Sequence, residues 1–213
     1  MKYFGFLLVL TLFSCEKKKN ANRESLNLPT AVVQKSVISA EDSDANSPWF
    51  GYYQNQNPDF TKDLFELKGK DSIVYRPGTV KILHEKGFNE VYEPFLIFNK
   101  SKTKYLDLDS YHWFPLPDGS AAFEADQQIV LVDTKARTAK QIAFFGPSFT
   151  IEDAYWKGDT VAVLLGNSYE KVPFMLKYNF EKKQVQNFQY PDALVFTIPY
   201  SKIRLRNKGI KVD

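Results

Sequence analysis

The chain has 213 residues, 44% of them hydrophobic, enough for one well-buried domain and too few for two. Its 28 basic and 25 acidic residues leave a net charge of +3, which excludes nucleic acid or an anionic surface as a partner recruited by charge. Aromatic residues make up 15% of the chain, a composition that favours strands packing large rings on a pleated face and excludes disorder over most of its length.

Taken in chain order, Met1 and Lys2 precede an apolar run over residues 3–13. That run has the length and polarity of the hydrophobic region of a secretory signal peptide. Glu16, Lys17, Lys18 and Lys19 end it well short of the roughly 20 residues that a membrane-spanning helix needs. It closes in Leu12-Phe13-Ser14-Cys15, which resembles the lipobox of bacterial lipoproteins, with Phe13 standing where that family places a small or aliphatic residue. The resemblance implies a signal peptide over residues 1–14, cleavage before Cys15, diacylglycerol on its sulfur and a further acyl chain such as palmitate on the new amino terminus. Lipid of that size meets the requirement for stable anchoring. Cys15 is the chain's one cysteine, so the mature protein forms no internal disulfide and its stability rests on its core. Glu16 replaces the Asp that retains some lipoproteins at the inner membrane, so the resemblance implies a cell envelope location at the outer membrane.

Residues 15–46 are polar and charged, with one apolar patch at 31–38, and read as a solvated tether. From residue 47 to 213 short apolar segments alternate with turn residues, the pattern of a single domain of antiparallel strands. Residues 65–75 read as a hairpin turning at Gly69-Lys70-Asp71, and Pro77-Gly78 turns the chain into a strand over 79–83. Further strands are expected at 94–98, 104–108, 121–123, 128–132, 140–145, 160–165, 173–178 and 185–188, and an edge strand guarded by charge at 201–206. A weak internal echo links Gly119 and the segments at 128–132 and 140–145 with Gly158 and those at 173–178 and 185–188. Its offset of about 39 to 46 residues lies in the range of a propeller blade. The fold expected is therefore all-β, an antiparallel meander of propeller-like four-stranded units. A β-sandwich and a lipocalin-like barrel are the alternatives, since Pro48-Trp49-Phe50-Gly51-Tyr52-Tyr53 resembles the opening strand of lipocalin-like domains.

The catalytic inventory is thin: two histidines, one cysteine, no Gly-x-Ser-x-Gly, no glycine-rich phosphate loop and no His-Glu-x-x-His. No cofactor and no metal site are expected. Strand alternation puts Tyr105, Asp107 and Asp109 on one face beside His112, an arrangement suited to a hard cation or an acid and base pair. The same alternation is what any strand with one solvated face shows, and that reading is the stronger. Trp49, Tyr53 and Trp113 suit a stacking platform for sugars or a protein partner, against the stronger reading of core filling. The candidate binding residues are thus Trp49, Tyr53, Asp107, Asp109, His112 and Trp113. The function expected is a non-catalytic envelope lipoprotein binding a protein or an extracellular ligand such as a glycan. The alternatives are a glycan hydrolase using Asp107, Asp109, Glu152 or Asp153, and a structural accessory of envelope assembly.

Overall fold

The computed structural model describes residues 47–212. The signal peptide, Cys15 and the tether lie outside those residues. The described chain is mostly β, with antiparallel sheets and few helices. No helix among the described residues is long and apolar enough to cross a membrane.

The first segment corrects the expectation of a lipocalin-like opening strand. Pro48–Gln54 is a helix, α1, with proline in the first turn, where its missing N–H leaves no hydrogen bond unmade. Spacing of i and i+4 brings Trp49 and Tyr53 to one side of it, and both are buried with Phe50. The expected hairpin at 65–75 is instead one strand, β1 (Glu66–Ser72), because Gly69 sits at a register shift in its pairing with a distant partner and makes no turn.

Twelve strands follow the chain: after β1 come β2 (Arg76–Pro77), β3 (Ile97–Phe98), β4 (Lys104–Asp107), β5 (Trp113–Pro115) and β6 (Ala121–Phe123). Then come β7 (Gln127–Asp133), β8 (Thr138–Phe145), β9 (Phe149–Lys157), β10 (Val161–Ser168), β11 (Pro173–Asn179) and β12 (Gln184–Gln189). They form two five-stranded sheets, ordered β1-β12-β11-β10-β9 and β2-β8-β7-β4-β3, with β5 and β6 as a separate hairpin. Neither sheet closes into a barrel, which removes the lipocalin-like alternative. Each sheet has a row of four antiparallel strands extended at one edge by a strand from the start of the domain; β9 to β12 follow one another as a meander, whereas the β5–β6 hairpin leaves the second sheet between β4 and β7. The sequence echo maps in part: β7 and β8 in one sheet stand where β11 and β12 stand in the other, but Gly119 turns the separate β5–β6 hairpin whereas Gly158 turns β9 into β10, so that leg of the echo has no structural equivalent.

The two sheets share an apolar layer. Leu106, Ile129 and Leu131 meet Ile151, Ala162 and Leu164 there. The alternate residues of the same central strands are also buried. Val163 and Leu165 face Trp49, Phe50 and Tyr53, whereas Val130 and Val132 face Val80, Ile82 and Leu83. Central strands covered on both sides explain the continuous apolar runs at 129–132 and 162–165. Residues 79–83 are accordingly an irregular cover over the second sheet and not the strand expected, and only Ile97 and Phe98 of 94–98 pair.

The last correction concerns residues 201–206. They belong to a helix, α2 (Tyr200–Arg206), and Arg204 is buried with Tyr200 and Leu205 instead of guarding an edge. A segment of seven residues fits both periods, and the one that wins turns Tyr200 and Arg204 inward at i and i+4.

Candidate functional site

A buried polar hub forms where α2 meets the two sheets. In the pairing of β9 with β10, Leu165 lies opposite Asp153 and Gly166 opposite Ile151, so Glu152 is the extra residue of a β-bulge. Glu152 is 1% exposed. Its Oε2 accepts the Trp49 indole N–H at 2.7 Å, the Tyr53 hydroxyl at 2.7 Å and the Asn167 amide at 2.8 Å. The Ser201 backbone N–H donates to the same carboxylate. The Tyr53 hydroxyl in turn accepts the Tyr200 N–H at 3.1 Å, which fixes α1 against α2.

Arg204 joins this cluster to the second sheet. Its Nε donates to the Glu152 carbonyl at 2.9 Å, and its two terminal nitrogens grip Asp109 at 2.9 and 2.8 Å. This is the planar bidentate geometry that lysine does not reproduce. The Trp113 indole N–H donates to Asp109 at 2.9 Å. Asp107 is consumed locally: it accepts the Asp109 and Ser110 N–H groups at 3.0 and 2.9 Å and the Ser110 hydroxyl at 2.6 Å, a turn that carries the chain out of β4.

The electrostatics follow from burial. Burial pushes the Glu152 carboxyl above its usual range, partly offset by the donors from Tyr53, Trp49, Asn167 and Ser201. Burial likewise raises Asp107, against the pull of its Ser110 bonds. Burial alone would lower Arg204, but Asp109 and Asp153 outweigh it and hold the guanidinium above its ordinary value. His112 is lowered, chiefly by burial, and so is neutral near pH 7. Its Nδ1 lies 3.1 Å from the Asp126 carbonyl, which sets the proton there and leaves Nε2 as the acceptor.

The structure therefore gathers the sequence candidates, but as interior groups. Trp49 and Tyr53 are fully buried and meet on Glu152, and Asp109 and Trp113 meet on Arg204. Asp107 and Asp109 are 2% and 3% exposed, which overturns the solvated-face reading: β4 ends at Asp107, whose carboxylate is spent on the turn that follows, and Arg204 and Trp113 close over Asp109 in that turn. The platform formed by Trp49, Tyr53 and Trp113 is likewise replaced by core packing, with edge-on contacts between Trp49 and Tyr53 and between Tyr92 and Trp113. Sequence reasoning missed Arg204 as a buried partner and missed Asn167 altogether. The i and i+4 spacing of Tyr200 and Arg204 was the one available signal.

Two clefts flank α2. The larger, of about 440 Å³, is lined by Asp153, Tyr200, Arg204 and Lys208 with the rings of Phe95 and Trp156. Asp153 stands outside the bidentate clamp. Burial raises its carboxyl and the nearby Arg204 opposes that rise. Tyr200 is pushed up to about 12 by burial and by Asp153. Burial and the charge of Arg204 pull Lys208 down; its ammonium sits over the Phe95 ring and donates to the Pro94 carbonyl. The second cleft, of about 350 Å³, has His112, Glu152, Asn167, Lys171 and Ser201 in its lining, with the exposed ring of Tyr169 at its mouth. No group of three metal-ligating side chains occurs among the described residues. Compared with protein-family models, curated proteins and solved structures, the chain matches none.

Proposed function

We propose that this chain is a lipid-anchored protein of the bacterial outer membrane whose β-domain binds a protein or an extracellular ligand without transforming it. The anchor rests on the apolar run at 3–13 and on the placement of the single cysteine, Cys15, at its end. The observation that carries the binding reading is the fate of the carboxylates. Asp107, Asp109 and Glu152 are each saturated by hydrogen bonds within the fold, and Asp153 alone is left to face the larger cleft. A hydrolytic pair needs two carboxyls facing one space. One carboxylate opposite one ammonium, between aromatic walls, suits recognition: a ligand brings a donor to Asp153, an acceptor to Lys208 and a flat apolar face to Trp156 and Tyr200. We further read the two sheets as copies of one propeller-like four-stranded unit, on the strength of their shared strand order and the sequence echo.

The test has two arms. Cys15→Ser is expected to abolish labelling by a clickable fatty acid and to release the protein from membranes, and labelling that persists would refute the anchor. The full chain in detergent is expected to retain a defined component of envelope extract that Asp153→Asn with Lys208→Gln fails to retain. Equal retention by both proteins, or none by either, would remove the larger cleft as the binding seat.

A further inference from the structure

We infer that the second cleft binds a sugar bearing a carboxylate. The inference uses a different cleft from the one that carries the binding reading above. Its floor is Asn167, 5% exposed, whose amide nitrogen is spent on Glu152 while its Oδ1 has no partner. A buried carbonyl oxygen without a donor is costly, and a ligand hydroxyl is the group that satisfies it. The neutral His112 ring offers a second acceptor, Nε2, on the same lining. Hydroxyls of Thr150, Ser168 and Ser201 supply further groups able to donate or accept, the mixture that a polyol needs.

Two observations specify the rest of the ligand. Tyr169 is 82% exposed at the mouth, an aromatic face standing in solvent where a sugar ring can lie on it. The charged side chains that line the cleft are Lys171, Lys202 and Glu152. The Glu152 carboxylate is turned into the fold, where it accepts from Trp49, Tyr53 and Asn167, which leaves the lysines as the charged side chains that a ligand in the cleft meets. Lys171 is held in place by its bond to the Phe196 carbonyl at 2.8 Å and by its position over the Phe196 ring, which fixes a positive charge at the rim. A volume of about 350 Å³ takes one or two sugar rings and excludes a folded partner.

The probes are galacturonic acid, N-acetylneuraminic acid and neutral galactose, titrated calorimetrically into the full chain in detergent. At least one acidic sugar is expected to bind, at least tenfold more tightly than galactose. Tyr169→Ala, on the surface, and Lys202→Glu, half-buried on the lining and outside the buried hub, are each expected to weaken that binding at least tenfold while circular dichroism stays unchanged. Asp153→Asn with Lys208→Gln is expected to leave it intact, so that this site and the larger cleft fail or stand separately. Silence with both acidic sugars, equal affinity for galactose, or binding indifferent to both surface variants would overturn the inference.

Discussion

At Glu152 four donors converge on one carboxylate, and the balance between burial and those donors sets how the protein responds to pH. Because the folded-state pKa is raised above the unfolded one, the folded protein holds this proton over a pH range in which the unfolded chain has released it. Stability therefore falls as pH rises, beginning near the ordinary value of 4.5 and ending once the folded carboxyl has ionised. Glu152→Gln removes that proton exchange. Its unfolding free energy, measured by urea titration between pH 4 and 8, is expected to fall less with pH than that of the native protein, by a slope of up to about 1.4 kcal/mol per pH unit. Parallel pH profiles would show that the donors fully compensate burial. The amide does put an NH₂ where one oxygen was, so a constant offset is expected, and only the slope tests the argument. The residues that form this hub were partly legible in the sequence. Alternation brought Asp107 and Asp109 to notice, but β4 ends at Asp107 and Asp109 lies in the turn after it, and alternation does not report what lies over either. The cover of Asp109, Arg204 and Trp113, comes from α2 and from the start of β5, and no local pattern announces such a contact.

Elements tell a related story, because long elements with a clean period were readable and short ones were not. The runs over β7, β10 and β11 stand close to the expected places, and the echo at about 46 residues corresponds to two hairpins with the same turn chemistry. In one, the Asp133 side chain accepts the Lys135 and Ala136 N–H groups and Arg137 takes φ 50°; in the other, Asn179 accepts the Lys182 N–H and Lys183 takes φ 52°. The helices α1 and α2 were misread because seven residues supply too little period to separate helix from strand. The bulge in β9 had no visible signal except Gly166, and that glycine is required by close approach. A Cβ there would lie 2.2 Å from the Thr150 carbonyl oxygen and 2.8 Å from the Phe174 ring. Backbone does not yield as a flexible side chain does, so Gly166→Ala forces β9 away from β10 just where Glu152 is aimed. The expected cost is about 3 kcal/mol or more in urea unfolding. Because the opening is local, tryptophan emission should also shift as Trp49 loses its carboxylate partner. A variant as stable as the native protein would mean that the two strands are free to separate there.

Across the whole molecule, the sheets are held together by an apolar layer that any compact β-protein has and by buried polar crosslinks: Gln127 of β7 bonds both the N–H and the carbonyl of Ile151 in β9, the Trp156 indole and the Tyr178 hydroxyl donate to the Ile97 and Ile142 carbonyls, and Arg204 adds a charged link. Arg204 reaches the Glu152 carbonyl in the first sheet and the Asp109 carboxylate at the end of the second, so it belongs to both. Removing it leaves Asp109 buried opposite no cation, a change that typically costs about 3–5 kcal/mol. Its effect should be unequal. The first sheet keeps the Glu152 cluster with Trp49, Tyr53 and Asn167, whereas at the β4 end of the second sheet Asp109 keeps a single side-chain donor, the Trp113 indole, beside the Gln127 bond to the Leu108 carbonyl. Hydrogen exchange of the two central strands reads this directly. In the native protein β7 and β10 are both buried on two faces and are expected to exchange with similar protection, as parts of one cooperative unit. In Arg204→Met, whose side chain fills similar space without charge, β7 is expected to exchange faster than β10 by at least tenfold. Arg204→Lys should resemble Met more than the native protein, because an ammonium cannot hold both oxygens of Asp109 and the Glu152 carbonyl at once. If both strands instead lose protection equally, the apolar layer and the Gln127 bonds to Ile151 couple the sheets, and Arg204 adds stability to the domain without linking its halves.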